Sequence, residues 1–457
     1  MTDVQQLAPP RLTQREAGPA RMVLATALLG FFMISLDATA VNVALPAVGR
    51  TLNGATSGLQ WVVDGYTLMF AALLISAGAV SDRSGAKRVF GWGLAVFVAA
   101  SAACGLAPAL GFLIAARVVQ GSAAAVMLPA SLSLVRQAFP DPVRRARAVA
   151  VWSSGGAAAI AAGPVLGGIL TSVVDWRAIF FVNLPVGVAA LVMLARAPRS
   201  PRRPAPVDPA GQVTVVAGLA ALAFGVIEGG GSGFGRPTIV APLGLAVVAF
   251  AAFVLAETRV AHPMVPLSLF RSRVVTACVA IGFTINVAFY GVAFVLSLYF
   301  QRILGEPAIT AGLMFLPMTA LLAAANLASA RVAARYGHHV PVLAGLAVSA
   351  LGMLALAFLR SKVALSVVLV PVGTGMGFAL PSLTFVLLEA IPAEQAGLAG
   401  GLLNASRQTG GALAVALFGA LVSGSFMAGM RDSMLVAGGL LVASTAAALT
   451  VLRRHRP

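Results

Sequence analysis

Asp37 sits in the middle of an otherwise uncharged stretch from about Met22 to Val48, in the string LDATAVNVALP. A charged side chain at mid-span costs roughly 2.5 to 3.5 kcal/mol on insertion scales, so a carboxylate in lipid is a candidate functional group. With the N-terminus inside, Asp37 lies about 15 residues, roughly 22 Å, above the inner face. Arg117, in the fourth apolar run, lies about 7 residues below the outer face, and Asp64, in the second, about 6 residues below it. In a hydrocarbon core of about 30 Å these depths nearly coincide, which predicts one layer of three ionisable groups. Desolvation favours a neutral carboxylic acid and a nearby guanidinium favours the carboxylate. A carboxylate whose distance from Arg117 changes with conformation would therefore load and release a proton. The alternative reading is a static ion pair.

A second in-membrane charge, Arg407, lies beside Gln408 in LLNASRQTGGALAVAL, about 11 residues above the inner face. It has no evident acidic partner in sequence. Glu389, near the inner end of the twelfth run, is a candidate, whereas Glu228 is expected to meet outer water. His338-His339 reads as a solvated turn.

Two further strings have mechanical rather than chemical content. GAVSDRSGAKRVF, from Gly78 to Phe90, compresses Asp82, Arg83, Lys87 and Arg88 into a short inner turn. Gly78 can let a neighbouring helix approach, Gly85 can supply positive φ, and Asp82 can pair with a base or cap a helix N-terminus. This is a candidate conformational latch; a plain positive-inside anchor is the simpler reading. In the fifth run, Ala159, Gly163 and Gly167 recur every four residues beside Pro164 and Gly168. That spacing makes a flat packing face, and the proline favours a bend.

These strings must be held by membrane helices. The chain has 457 residues, 59% hydrophobic and 10% charged, a balance that excludes a soluble domain. Fourteen apolar runs of spanning length are legible. The first is too long for a signal-peptide core and is expected to be retained. The formal charge of +17 does not indicate a nucleic-acid partner, because the basic residues fall on alternating loops. Clusters at Arg136, Arg144, Arg145 and Arg147, and at Arg196, Arg199, Arg202 and Arg203, place both termini in the cytoplasm by the positive-inside rule. Cys104 and Cys278 lie in apolar runs and read as packing residues.

An offset of 252 residues carries the RxG turn at Arg83 onto Arg335, Gly121 onto Gly373, Leu128-Pro129 onto Leu380-Pro381 and Pro140 onto Pro392. Spans 1 to 6 therefore read as repeated in spans 9 to 14. The expected organisation is a cytoplasmic tail (1–21), an N-terminal six-helix bundle (22–195) and a Pro- and Arg-rich linker (196–210). An inserted helix pair (211–257), a second linker (258–272), a C-terminal six-helix bundle (273–452) and a cytoplasmic tail (453–457) follow. Two such halves, related by an axis along the membrane normal, are transporter architecture, with substrate between them.

Together the strings resemble the major facilitator superfamily, specifically its 14-span drug:proton antiporters, over nearly the whole chain. LDATAVNVALP is similar to the first-helix signature of that subgroup, with Asp37, Thr39, Asn42, Ala44 and Pro46 in place. GAVSDRSGAKRVF resembles the loop 2-3 motif, with Val80 for the usual leucine and Ala86 for a usual basic residue. LIAARVVQGSAAA keeps Arg117, Gln120 and Gly121 of the span 4 motif, with Ala123 where glycine is common. AIAAGPVLGG resembles the antiporter motif of span 5, with Ala159 at the first glycine position. WRAIFFVNLPVG and the RQTGG string are also similar to this subgroup.

The resemblance implies an all-α polytopic membrane protein of the major facilitator fold, two six-helix bundles plus an inserted pair. It implies export of hydrophobic or amphipathic drugs from a bacterial cytoplasm in exchange for protons, with Asp37 and Arg117 in the coupling network. A dedicated exporter of one endogenous metabolite is the alternative, and a non-transporting receptor or membrane enzyme a remote one. No phosphate-binding GxxxxGK[ST] loop is present, so an ion gradient is the expected energy source, with no cofactor. The expected partners are the lipid bilayer, protons and a small amphipathic substrate; the sequence leaves the oligomeric state open and is compatible with a monomer.

Overall fold

The computed structural model describes residues 14–202, 207–392 and 395–452. Most of the N-terminal tail, Arg203 and the tail 453–457 lie outside the described residues. The first bundle consists of α1 (Gln14–Thr51), α2 (Thr56–Ser84), α3 (Ala86–Gly105), α4 (Leu110–Ala138) and α5 (Pro142–Val173), with a last span broken into α6 (Ala178–Phe181) and α7 (Asn183–Ala195). A helical pair follows, α8 (Pro209–Ser232) and α9 (Pro237–Arg259). The second bundle consists of α10 (Arg273–Leu298), extended by a π-helical turn Tyr299–Ile303, then α11 (Ala308–Tyr336), α12 (His339–Leu356), α13 (Lys362–Glu389), α14 (Ala396–Gly424) and α15 (Phe426–Leu452).

Local sequence sets the boundaries. Asp141, ahead of Pro142, caps α5 by accepting from Arg144 N at 2.8 Å. Asp208, ahead of Pro209, caps α8 through Gly211 N at 2.9 Å. Both use proline where its missing N–H is not needed. A single residue, Gly85 at φ +89°, turns α2 into α3. Gly337, 252 residues on, turns α11 into α12 at φ +85°.

The repeat also holds in the packing. Gly121 lets α4 lie directly on the Tyr66 carbonyl of α2, and Gly373 lets α13 lie on the Met318 carbonyl of α11, each pair displaced by the same offset. Gly93 meets Ala123 and Met127, while Gly345 meets Gly375 and Ala379. The duplication thus preserves which backbones touch.

Among the described residues, thirteen spans are long and apolar enough to cross a membrane by themselves. The fourteenth is α14, 29 residues long, whose Asn404, Arg407 and Gln408 lower its hydropathy. It packs against α10, α2, α8 and α15, so much of its surface meets protein rather than lipid. The helix α8 covers the seam between α2 and α14, burying Leu219, Ala223 and Ile227 against Leu68, Ala72, Ala412 and Ala416, and α9 packs on α8.

The bundles join mainly toward the face opposite the chain termini. Gln60 Nε2 of α2 donates to Ala416 O of α14 at 2.7 Å. Ser297 Oγ of α10 donates to Asn42 O of α1 at 2.6 Å, and Gln301 Nε2 to Val43 O at 2.8 Å. Thr319 Oγ1 of α11 donates to Ala161 O of α5 at 3.1 Å, and Ile309 N to Ser172 Oγ at 3.0 Å.

Candidate functional site

Asp37 is 3% exposed and Arg117 is fully buried. Arg117 Nη1 donates to Asp37 Oδ2 and, at 2.8 Å, to Gln120 Oε1. Its Nε donates to Val62 O of α2 at 3.0 Å, and its guanidinium lies 4.3 Å from the Tyr66 ring centroid. Asp37 Oδ1 accepts from Gln120 Nε2 at 3.0 Å and from Asn183 Nδ2 at 3.3 Å. Asn183 also donates to Ser101 Oγ at 3.0 Å, and Ser101 donates to Phe180 O at 2.9 Å. One carboxylate thus gathers side chains from α1, α3, α4 and the α6–α7 break, with Tyr66 of α2 beneath the arginine. A buried ion pair is tolerated when further hydrogen bonds satisfy its remaining atoms; here both carboxylate oxygens and Arg117 Nε and Nη1 are bonded, while Nη2 has no partner among the described residues.

Asn183 and Ser101 are members that sequence reasoning missed. Their only signal is polarity in apolar helices, although Asn183 falls in a string that carried the resemblance.

Asp64 does not join this layer. It is fully buried, accepts from Thr67 Oγ1 at 3.3 Å, and its Oδ2 has no partner among the described residues. Nor does it reach outer-face water. Depth placed it beside Arg117, but azimuth does not: at 100° per residue Asp64 lies about 200° around α2 from Val62, whose carbonyl Arg117 contacts. Asp64 shares a face with Gln60, which meets α14.

Thr39 and Asn42 hydrogen-bond to their own helix, Thr39 Oγ1 to Ser35 O at 3.0 Å and Asn42 Nδ2 to Ala38 O at 3.2 Å. Thr39 instead fixes α1 against α5, where Gly163 abuts its side chain and Gly167 abuts Ala40. The next faces of α5 serve the other bundle: Gly168 lies against Ala308, and the Pro164 carbonyl against Gly312 of α11. Ala159 is fully buried. The helix runs unbroken through Pro164.

On either side of the Gly85 turn, Asp82 and Arg83 in the last turn of α2 and Arg88 in the first turn of α3 are exposed. Asp82 makes no ion pair and caps no helix among the described residues. An added Cβ on Gly78 would meet nothing within 4 Å, so no helix approaches it in this conformation. Lys87 instead ties the turn to the start of the linker: its Nζ donates to Ala195 O at 3.1 Å and to Ala197 O, and its N–H to Ser200 Oγ at 3.1 Å.

Arg407 Nε donates to Asn286 Oδ1 at 3.3 Å and Nη1 to Asn404 Oδ1 at 3.2 Å, not to Gln408. Glu389 is not its partner; it is exposed at the end of α13. Its charge acts on His338, whose imidazole is held below its usual value by burial, with Glu389 pulling upward. His338 stacks on Phe385 with centroids 3.7 Å apart, so the turn is not merely solvated. Glu228 accepts from Trp61 Nε1 at 3.1 Å, which ties α8 to α2.

Two duplicated helical bundles with a charge pair enclosed in one of them define a polytopic membrane transporter. The family model described as Major Facilitator Superfamily matches residues 27–415, and the chain belongs to that family, which comprises transporters rather than enzymes. Its fourteen spans, with α6 and α7 together forming one, are consistent with the 14-span subgroup. The chain is 37% identical to the "Methylenomycin A resistance protein" of Streptomyces coelicolor over 412 residues, 88% of this chain and 86% of the relative. It is 37% identical to the "Multidrug resistance protein Stp" of Mycobacterium tuberculosis over 86% of this chain and 74% of the relative. The solved structure of the nucleoside transporter NupG shares the fold, with a TM-score of 0.64 at 13% identity, covering 94% of this chain and 99% of that one.

Proposed function

We propose that the chain exports hydrophobic or amphipathic drugs or antibiotics from the cytoplasm in exchange for protons, driven by the proton gradient without a cofactor. The observation that carries this reading is the Asp37 carboxylate, enclosed with Arg117 inside one bundle. A proton on Asp37 would leave Arg117 without its counter-charge, so protonation and the packing of α1 on α4 are energetically linked. The names of the relatives, resistance proteins in each case, support a drug cargo.

With the terminus-bearing face in the cytoplasm, the contacts between Gln60 and α14 and between α5 and α11 seal the outer side. Export then requires bundles 22–195 and 273–452 to rock about residues 196–210 and 258–272, while the pair 211–257 shields the α2–α14 seam. Gly78, Asp82, Arg83, Gly85, Lys87 and Arg88 would form the inner latch once that face closes. Gly163, Gly167 and Gly168 would let α5 pivot against α1 and α11. Asp64, on the α14-facing side of α2 and without a basic partner among the described residues, is a second candidate proton carrier.

A dedicated exporter of one metabolite is the second reading, favoured by a relative named for a single antibiotic. Substrate pumping into everted vesicles, the equivalent of cellular efflux, is the test, with the pH gradient collapsed and Na⁺ held constant. Efflux is expected to stop; its persistence overturns proton coupling.

A further inference from the structure

Arg407 is a permanent charge inside the bundle for which the described residues provide no counter-charge. A guanidinium does not deprotonate in proteins. Both of its hydrogen-bonding partners, Asn286 and Asn404, are neutral amides at more than 3 Å. Asp37 is already engaged by Arg117, making that pair neutral overall. The ion pairs among the described residues leave Arg407 out.

Its position is accessible from one side. Along α14 from the terminus-bearing end, Leu398, Gly400, Gly401, Asn404 and Arg407 itself are partly exposed, whereas Gly410, Gly411 and Ala412 just beyond are buried. Gly282 of α10 makes room for the side chain, whose Cγ would stand 3.2 Å from a Cβ there. The two asparagines fix the guanidinium plane without neutralising it. One turn along α14, the Tyr290 ring lies against Gly411, and Phe289 packs edge-to-face on Tyr290.

Unpaired arginine in a membrane interior marks a substrate or ion path, and its planar fork matches a carboxylate in a way that a point charge does not. We propose that Arg407 anchors a carboxylate on the exported compound, so that the preferred cargo is an amphipathic organic anion. A cation there would be repelled. This rests on the export reading and adds the cargo's charge to it.

The test uses purified full-length protein and a panel of aromatic and terpenoid carboxylates, each paired with its methyl ester, plus tetraphenylphosphonium. Carboxylates are expected to bind about tenfold to a hundredfold more tightly than their esters, the range for a hydrogen bond to a charged group. Arg407→Gln should erase that preference, so that acid and ester bind alike; Arg407→Lys should keep part of it. Should Arg407→Gln fail to fold, Arg407→Lys and Asn404→Ala, which loosens the guanidinium, must each lower the preference. Equal binding of acid and ester, preference for tetraphenylphosphonium, or a carboxylate preference surviving in Arg407→Gln overturns the proposal. So does displacement of the carboxylates by 0.1 M chloride but not by 0.1 M of a bulky sulfonate, which assigns the site to an inorganic anion. Binding is read without a gradient, so absent vesicle export with carboxylate selectivity intact overturns only the export reading.

Discussion

Asn183, at the break between α6 and α7, donates to Asp37 Oδ1 across 146 residues of sequence. The last span of the first bundle thereby reports on the first. A hydrogen bond to a charged group contributes roughly 1.5 to 3 kcal/mol. We expect Asn183→Ala to slow efflux about tenfold or more while the protein remains folded. Initial efflux rates from vesicles, normalised to folded protein, check this; an unchanged rate removes Asn183 from the site.

Asp37→Asn keeps shape and removes charge, stranding Arg117 in the core. Breaking a buried pair by losing one partner costs roughly 3 to 5 kcal/mol. The variant should melt earlier and lose gradient-driven efflux. Adding Arg117→Met should recover most of the Tm without recovering transport, because the charge imbalance is gone and the proton carrier still absent. If Asp37→Asn pumps as well as the parent chain, Asp37 has no part in coupling.

Gly121→Ala and Gly373→Ala each drive a methyl group into a facing carbonyl, that of Tyr66 or Met318. Overpacking of this kind costs typically 1 to 3 kcal/mol, and both should lower the Tm alike. Gly244→Ala in α9, where an added Cβ meets nothing within 4 Å, is the control and should be neutral. Thermal unfolding in detergent decides the matter, and a silent Gly373→Ala would contradict the close approach of α13 to α11.

Ser172 and Ile309 face each other across the α5–α11 seam. The double variant Ser172→Cys, Ile309→Cys, bridged by a short bis-methanethiosulfonate that joins the two thiols through reducible disulfides, should hold this seam shut. Efflux is expected to stop and to return on reduction. Undiminished efflux from fully cross-linked protein would mean that this seam does not open during transport.

Much of the site was legible from depth and charge, and the rest depended on direction. Asp37 and Arg117 could be matched because a lone carboxylate and a lone arginine at one level of a low-dielectric core attract each other whatever else surrounds them. Asp64 shares their depth but points the other way around α2, and an apolar helix offers no periodicity from which to read its azimuth. Asn183 and Ser101 carry no charge, so nothing in composition distinguishes them from polar residues bonded to their own helix, such as Thr39. The repeat was legible through glycines because close backbone approach admits little else, as Gly121 and Gly373 illustrate. The same offset carries Asp37 onto Phe289 and Arg117 onto Leu369. The second bundle therefore inherits the packing without the ion pair.

The helix α14, alone among the fourteen spans in lacking the hydropathy to cross by itself, has a consequence for biogenesis. A segment carrying Arg407, Asn404 and Gln408 gains little from contact with lipid tails as it leaves the ribosome. Its stability in the bilayer comes from α10 and α2, both synthesised earlier. Insertion of α14 is thus coupled to docking, and substitutions at its contacts, such as Gly410 against Phe283 or Gly419 against Gln60, should appear first as incomplete topology and degradation during synthesis, before any finished molecule exists to be assayed.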